Sequence, residues 1–306
     1  MSRESAFIES LRTVATHPAA RGLLDDAAVL EIGGRTLVLT HDMLVEGVHY
    51  RPDDPPGDVA WKLVAVNLSD LAAKGARPVG ALLGYSLGEE AWDRAFVKGL
   101  ETALGAFGLP LLGGDTVRGG GARMLALTAI GEAKGPVPSR AGGRAGDHLW
   151  VSGTIGDAGA GLRGLGAALV ERYRNPRPRL EAGQRLAPLV NAMLDVSDGL
   201  LIDASRLAAA SGVGAEIDVA LVPLSGPFLA ALGDGREARK AAATAGDDYE
   251  LLFAAAPARA VEILALQDAL GLPLSRIGGL VEGAGLGLSD AGEALPLPPR
   301  LGWEHR

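Results

Sequence analysis

Residues 134–147, KGPVPSRAGGRAGD, constrain the fold more than any other stretch of this chain. Prolines that lack a backbone donor stand among glycines that tolerate almost any turn, so neither a helix nor a strand runs through it. On both sides short aliphatic runs alternate with longer helical periodicities. A chain of 306 residues is long for one core. It reads as two domains, 1–140 and 141–306, of α/β or α+β class.

In the first half, residues 4–16 read as an amphipathic helix and 27–44 as a hairpin around Gly33-Gly34. A helix is expected over 57–76, closed by Gly75, then a strand over 80–87 and a helix over 90–107. LPLLGGD (109–115) reads as a short strand stopping at its glycine pair, and 123–133 as another strand. In the second half a strand at HLWVSG leads through a glycine-rich turn into a helix over 157–172. A Pro/Arg loop follows at 175–180, and two helices flank DVSDG. Strands at 214–219, 250–256 and 274–281 alternate with helices near 226–244 and 258–270. AVNLSDLAAKGA and MLDVSDGLLIDAS echo each other, compatible with an internal repeat or with chance.

Aromatic residues make up only 4%, so the core is built from Ala, Leu and Val. The net charge of −8 leaves no basic face for nucleic acid or an anionic membrane, and phosphates would need metal cations as mediators. The absence of cysteine excludes disulfides, thiolate catalysis and zinc–sulfur or iron–sulfur sites. MSRESAFIESLRTVATH has no apolar core of a signal peptide, and no run approaches the ~18 apolar residues of a membrane span. A cytoplasmic location is expected.

Against this background the aspartates recur in one setting, at a turn beside an apolar run: Asp25 and Asp26, Asp42, Asp70, Asp115, Asp195 and Asp198, Asp247 and Asp248. Singly, each has an ordinary explanation. Asp198 suits a helix N-cap, and Asp25, Asp115 and Asp247 suit turns. Asp70 does not fit a solvated face, because Leu63, Val66, Asn67 and Asp70 share one helical stripe. It is either a hydrogen-bonded core aspartate or one that faces a cleft. Together so many carboxylates repel one another unless cations sit between them, and hard oxygen donors suit Mg2+. The pattern reads as a site for several Mg2+ ions and a phosphate. GGDTVRGGG (113–121) and GTIGDAGAG (153–161) offer backbone N–H groups to a polyphosphate. No P-loop motif is present. A formal G-x-G-x-x-G at Gly159, Gly161 and Gly164 runs into ERYRNPRPR instead of a second strand ending in an acid, so a dinucleotide site is rejected. Gly-Asp-Asp at 246–248 and His-Asp at 41–42 are too short to carry a polymerase or hydrolase reading.

As an ordered set, LTHDMLVEGVHY, KLVAVNLSDLAAKGARP, LLGGDTVRG, SRAGGRAGDHLWVSGTIGDAGAGL, LDVSDGLLIDASRLAAASGVGAEID and AGDDYELLF resemble the thiamine-monophosphate kinases. That family belongs to the aminoimidazole-ribonucleotide-synthetase-like superfamily, and the resemblance runs from about residue 20 to the C-terminus. It implies the two-domain PurM-like architecture: an N-terminal barrel-forming sheet shared with a twin in a homodimer, and a C-terminal α/β domain. It implies ATP and several Mg2+ between the domains. By motif position Asp26, Thr40, His41, Asp42, Asp70, Asp115, Asp195 and Asp198 would ligate metal. Gly114, Asp115, Arg140 and Ser197 would face ATP, and His49, Asp247 and Trp303 the thiamine phosphate. Asp70, Asp115 and Arg140 would carry the catalytic load. The chain departs from the family pattern at Leu24, where Gly is usual, at His41, where Ser, Thr or Val is usual, and at Asp247, where Glu is usual.

The implied chemistry is consistent with the residues. A phosphate monoester is already largely deprotonated at neutral pH, so its phosphorylation needs no strong general base. The obstacle is one anion attacking another, about 4 kcal/mol at 4 Å for unit charges at an effective dielectric near 20. Metal ions and Arg140 oppose that repulsion. Trp303 either offers an indole face to a cationic ring or packs a terminal segment. Other readings are an aminoimidazole-ribonucleotide-synthetase-like enzyme, a non-catalytic Mg-nucleotide-binding paralogue and a metal-dependent phosphoesterase. Asp203 has no motif role and is expected to be a structural or solvated helix residue.

Overall fold

The computed structural model describes residues 3–304. Helix α1 (Arg3–Arg12) precedes a hairpin of β1 (Ala28–Ile32) and β2 (Arg35–Val45). Helix α2 (Pro56–Ala73), β3 (Arg77–Ser86), α3 (Glu90–Phe107), β4 (Leu111–Val117) and β5 (Met124–Ala133) complete the first half. The five strands form one sheet in the order β1-β2-β5-β3-β4, antiparallel except for β3 and β4. Inward-facing Val38, Leu44, Leu125, Leu127 and Ala129 pack against α2 and α3. The opposite face of the sheet carries exposed Met43, Leu82 and Met124.

The second half contains β6 (His148–Ser152), α4 (Asp157–Leu162), α5 (Ala167–Arg174), α6 (Leu180–Leu186), β7 (Ala192–Asp195), α7 (Leu200–Ser211) and β8 (Gly214–Asp218). Then come α8 (Gly226–Leu232), α9 (Arg236–Thr244), β9 (Leu251–Ala255), α10 (Ala260–Leu270), β10 (Leu274–Val281), β11 (Gly285–Asp290) and β12 (Glu293–Leu295). Its sheet runs β12-β11-β8-β10-β6-β9-β7, with only β11 and β8 parallel. The segment 134–147 connects the two sheets. Helix α2 serves both halves: Leu63 and Leu68 belong to the first core, while Ala72 and Ala73 pack with Leu186, Met193 and Phe253 of the second.

Several sequence expectations need correction. The helix expected over 157–172 is two helices, because Gly164 (φ +74°) and Gly166 (φ +110°) adopt left-handed backbone between them. Strand β4 starts later than expected and continues through its glycines to Val117. A Cβ on Gly114 would lie 2.0 Å from the Leu83 carbonyl oxygen, so glycine is what lets β4 lie against β3. The first helix stops at Arg12, short of 16. Strands β7, β11 and β12 were not expected.

Candidate active site

Helix α2 is buried on nearly every side, Lys62, Asn67 and Ser69 included, and Lys74 at its C-terminal cap is wholly buried. Polar groups in such a place need partners, and each has them. Lys62 Nζ donates to Asp247 Oδ2 (2.9 Å) and to the His49 carbonyl (3.0 Å). Asn67 Oδ1 accepts from Thr40 Oγ1 (3.0 Å) and from the Asp42 N–H (3.1 Å). Ser69 Oγ donates to Asp195 Oδ2 (2.6 Å). Lys74 Nζ donates to Asp25 Oδ1 (2.5 Å) and to the Met193 carbonyl (3.2 Å), and lies 2.6 Å from Asp26 Oδ2.

These contacts surround a cavity of about 880 Å³ lined by Asp26, Asp42, His49, Asp70, Arg140, Asp195, Ser197, Asp198, Asp247 and Trp303, among others. At its floor one oxygen each of Asp26, Asp70 and Asp195 lies within 4.8 Å of the others. Burial, then the charges of Asp42, Asp195 and Asp26, hold the Asp70 carboxyl well above the usual range. Burial, with Asp26 adding repulsion, pushes Asp195 to about 8 against the pull of the Ser69 hydrogen bond. Burial, then Asp26 and Asp198, raises Asp42 to about 6. Asp26 goes the other way. Burial opposes its charge, but Lys74 and Arg140 outweigh that and bring it to about 2. Arg140 Nε donates to Asp26 Oδ1 at 2.6 Å.

The turn after β7 carries Ser197 and Asp198 into the cavity. It is braced by Asp203, whose buried carboxylate accepts the N–H groups of Asp198 and Gly199 (both 3.1 Å) and pairs with Arg206 (2.9 Å). Asp203 is therefore structural and not solvated. Asp198 is no N-cap: Gly199 takes that position, and Arg206 reaches the Asp198 carboxylate at 2.5 Å. The segment 246–250 lies against this turn. The Asp247 N–H donates to the Ser197 carbonyl (2.7 Å) and the Tyr249 N–H to that of Val196 (2.8 Å). Asp248 is buried and accepts the Gly156 N–H (2.8 Å), and Glu250 is buried between Arg172 and Arg179. His49 Nδ1 accepts the Val45 N–H (3.0 Å), which leaves the ring proton on Nε2. The Trp303 backbone N–H donates to the Asp198 carbonyl (2.9 Å) and fastens the C-terminal segment to this turn, with the residue half exposed at the cavity.

Three residues of the expected site, Thr40, His41 and Asp115, stand apart from the carboxylate cluster. Thr40 is buried beneath it, bonded to Asn67. His41 is exposed on the other face of the sheet, its Nδ1 2.8 Å from Thr128 Oγ1. Asp115 shares a register row with Met43, Ala126 and Gly84, whereas Asp42 and Gly114 occupy the adjacent row. Since side chains alternate along a strand, Asp115 and Asp42 stand on opposite faces. Asp115 lines a second cavity of about 690 Å³, and Met43 borders both cavities. Sequence reasoning missed Lys62, Ser69, Lys74 and Arg206. Extending the Asn67–Asp70 stripe by one turn reaches Lys74, so that signal was present.

The donor set suits hard cations. It is made of carboxylate oxygens, and Asp26 Oδ2 is a buried acceptor without an aligned donor although Lys74 is near. Comparison with known proteins identifies the family. Residues 24–133 match the family AIR synthase related protein, N-terminal domain, and residues 144–291 its C-terminal domain. The thiamine-monophosphate kinase of Caulobacter vibrioides is 40% identical over 304 residues, covering 94% of this chain and 86% of the relative. The crystal structure of thiamine-monophosphate kinase from Stenotrophomonas maltophilia is 39% identical, covers 95% of this chain and 96% of its own, and superposes with a TM-score of 0.78. A structure described as AaThiL complexed with AMPPCP and TMP is 30% identical over 95% of this chain and 96% of its own, with a TM-score of 0.84. The chain belongs to the thiamine-monophosphate kinase family.

Proposed function

We infer that this chain transfers a phosphoryl group from ATP to the phosphate of thiamine monophosphate, giving thiamine diphosphate. The observation that carries this reading is one cavity lined both by the Asp26–Asp70–Asp195 cluster with Arg140 and by His49, Asp247 and Trp303. The solved relative described with an ATP analogue and TMP supports the same pair of substrates. Asp26, Asp42, Asp70, Asp195 and Asp198 would hold Mg2+, with Thr40 and His41 contributing through β2. When bound, Mg2+ neutralises phosphate charge and orients ATP and the acceptor. Arg140 adds fixed positive charge, and Ser197 offers a hydroxyl to the nucleotide. Gly114 and Asp115 are assigned to the nucleotide side, supported by Met43, which borders both the main cavity and the one that Asp115 lines. The acceptor phosphate is already an anion, so no residue need remove a proton from it.

Residues 1–140 would form the nucleotide-binding and dimerising domain, and 141–306 would complete the site. A homodimer is supported by β4, an edge strand exposed along its whole length with Leu111, Leu112 and Val117 at the surface. Consumption of ATP fits a cytoplasmic location. Comparing ADP release with thiamine monophosphate and with formylglycinamidine ribonucleotide tests the reading. Turnover of only the second substrate would overturn it.

A further inference from the structure

Lys62 is a cation with almost no exposure, on α2 about two turns before Asp70. Its two hydrogen bonds go to two parts of the chain that border the cavity. One accepts through the His49 carbonyl in the first half, the other through Asp247 Oδ2 in the second. Its Nζ also lies 4.1 Å from the centroid of the Tyr173 ring, whose face favours a cation, and the Tyr173 hydroxyl is anchored on Asp54 at 3.2 Å. The ammonium is thus held from three directions.

Asp247 is constrained to match. Its other oxygen, Oδ1, accepts from Tyr249 Oη at 3.1 Å, and both residues adopt left-handed backbone, φ +68° and +52°. Such conformations in residues other than glycine cost about 1–3 kcal/mol each and persist only where surroundings impose them. The Asp247 side chain nonetheless keeps 29% of its surface exposed, toward the cavity. An aspartate is one methylene shorter than glutamate, so where its carboxylate stops depends on what grips it.

We propose that Lys62 is a positioning residue for the acceptor: by tying the His49 segment to Asp247, it sets where the Asp247 carboxylate meets the cationic heterocycle of thiamine monophosphate. This rests on the phosphoryl-transfer reading above. Lys62 touches no reacting atom in this account, and its effect falls on acceptor binding and not on ATP.

The test is steady-state kinetics on the full chain carrying Lys62→Met, with each substrate varied in turn, and isothermal titration with thiamine monophosphate. The expected result is an acceptor KM and Kd raised at least about tenfold, with the ATP KM within about twofold of the parent. Asp247→Asn is expected to raise the same constants, and the double variant to be no worse than the poorer single one, because both changes break one linkage. Should Lys62→Met fail to fold, Lys62→Arg, which keeps the charge but changes the head group, is expected to show the same acceptor-selective shift. An unchanged or lowered acceptor KM, equal losses for both substrates, or additive losses in the double variant would overturn the proposal. A parent chain that neither binds nor phosphorylates thiamine monophosphate would overturn the functional reading, and this proposal with it.

Discussion

The hydroxyl of Ser69, on helix α2 of the first half, donates a 2.6 Å hydrogen bond to Asp195 Oδ2, at the end of β7 in the second half. It joins the two halves at the residue preceding Asp70 and fixes the Asp195 carboxylate. Ser69→Ala is therefore expected to weaken Mg2+ binding about 10–100-fold, the usual scale for losing a group that orients a metal-binding carboxylate. Isothermal titration with Mg2+ checks this. An unchanged affinity would remove Ser69 from the account.

Burial, together with the repulsion of Asp42, Asp195 and Asp26, keeps the Asp70 carboxyl well above the usual range. Asp70→Asn relieves that repulsion. The variant is expected to lose at least about 100-fold in kcat while melting, in EDTA, no lower than the parent. A large drop in melting temperature with normal turnover would identify Asp70 as a core aspartate only.

The raised carboxyls make stability depend on pH. Burial and neighbouring charge put Asp195 near 8 and Asp42 near 6, against an ordinary 3.8. In that window the folded, metal-free chain holds more protons than the unfolded chain, so stability falls as pH rises from about 4 to about 8. Mg2+ competes with those protons, so its stabilising effect should be larger at pH 8 than at pH 6. Melting curves in EDTA and in Mg2+ across this range check the sign. Curves that run parallel at all pH values would contradict it.

Asp203 braces the turn that presents Ser197 and Asp198. Asp203→Ala leaves the N–H groups of Asp198 and Gly199 without their acceptor and removes one of the two carboxylates that hold Arg206, and is expected to cost about 1–3 kcal/mol of stability, measured by urea denaturation. Activity should fall mainly through loss of the folded fraction. A stable variant would show that the turn holds without it.

Much of the architecture was legible where local signals dominate. The hairpin of β1 and β2 follows from two apolar runs about Gly33-Gly34, and α2 and α3 follow from periodicity and a closing glycine. Strand β7 was not legible, because three buried apolar residues before Asp195 read equally as helix or strand. Strands β11 and β12 lie at a sheet edge and are short or rich in glycine, with little pattern to read. In the site, the stripe through Asn67 and Asp70 led inward, and the ordered motifs led to Asp26, Asp42, Asp195 and Asp198. What the sequence could not convey was the face of the sheet on which Asp115 stands, since that depends on register across four strands. Nor could it show that Lys74 and Arg140 converge on Asp26.

The most direct measurement is the mass of the product formed from ATP, Mg2+ and thiamine monophosphate. The account predicts thiamine diphosphate and ADP in equal amounts, with no inorganic phosphate released. ADP and free phosphate without thiamine diphosphate, or bound ATP that is never consumed, would contradict it.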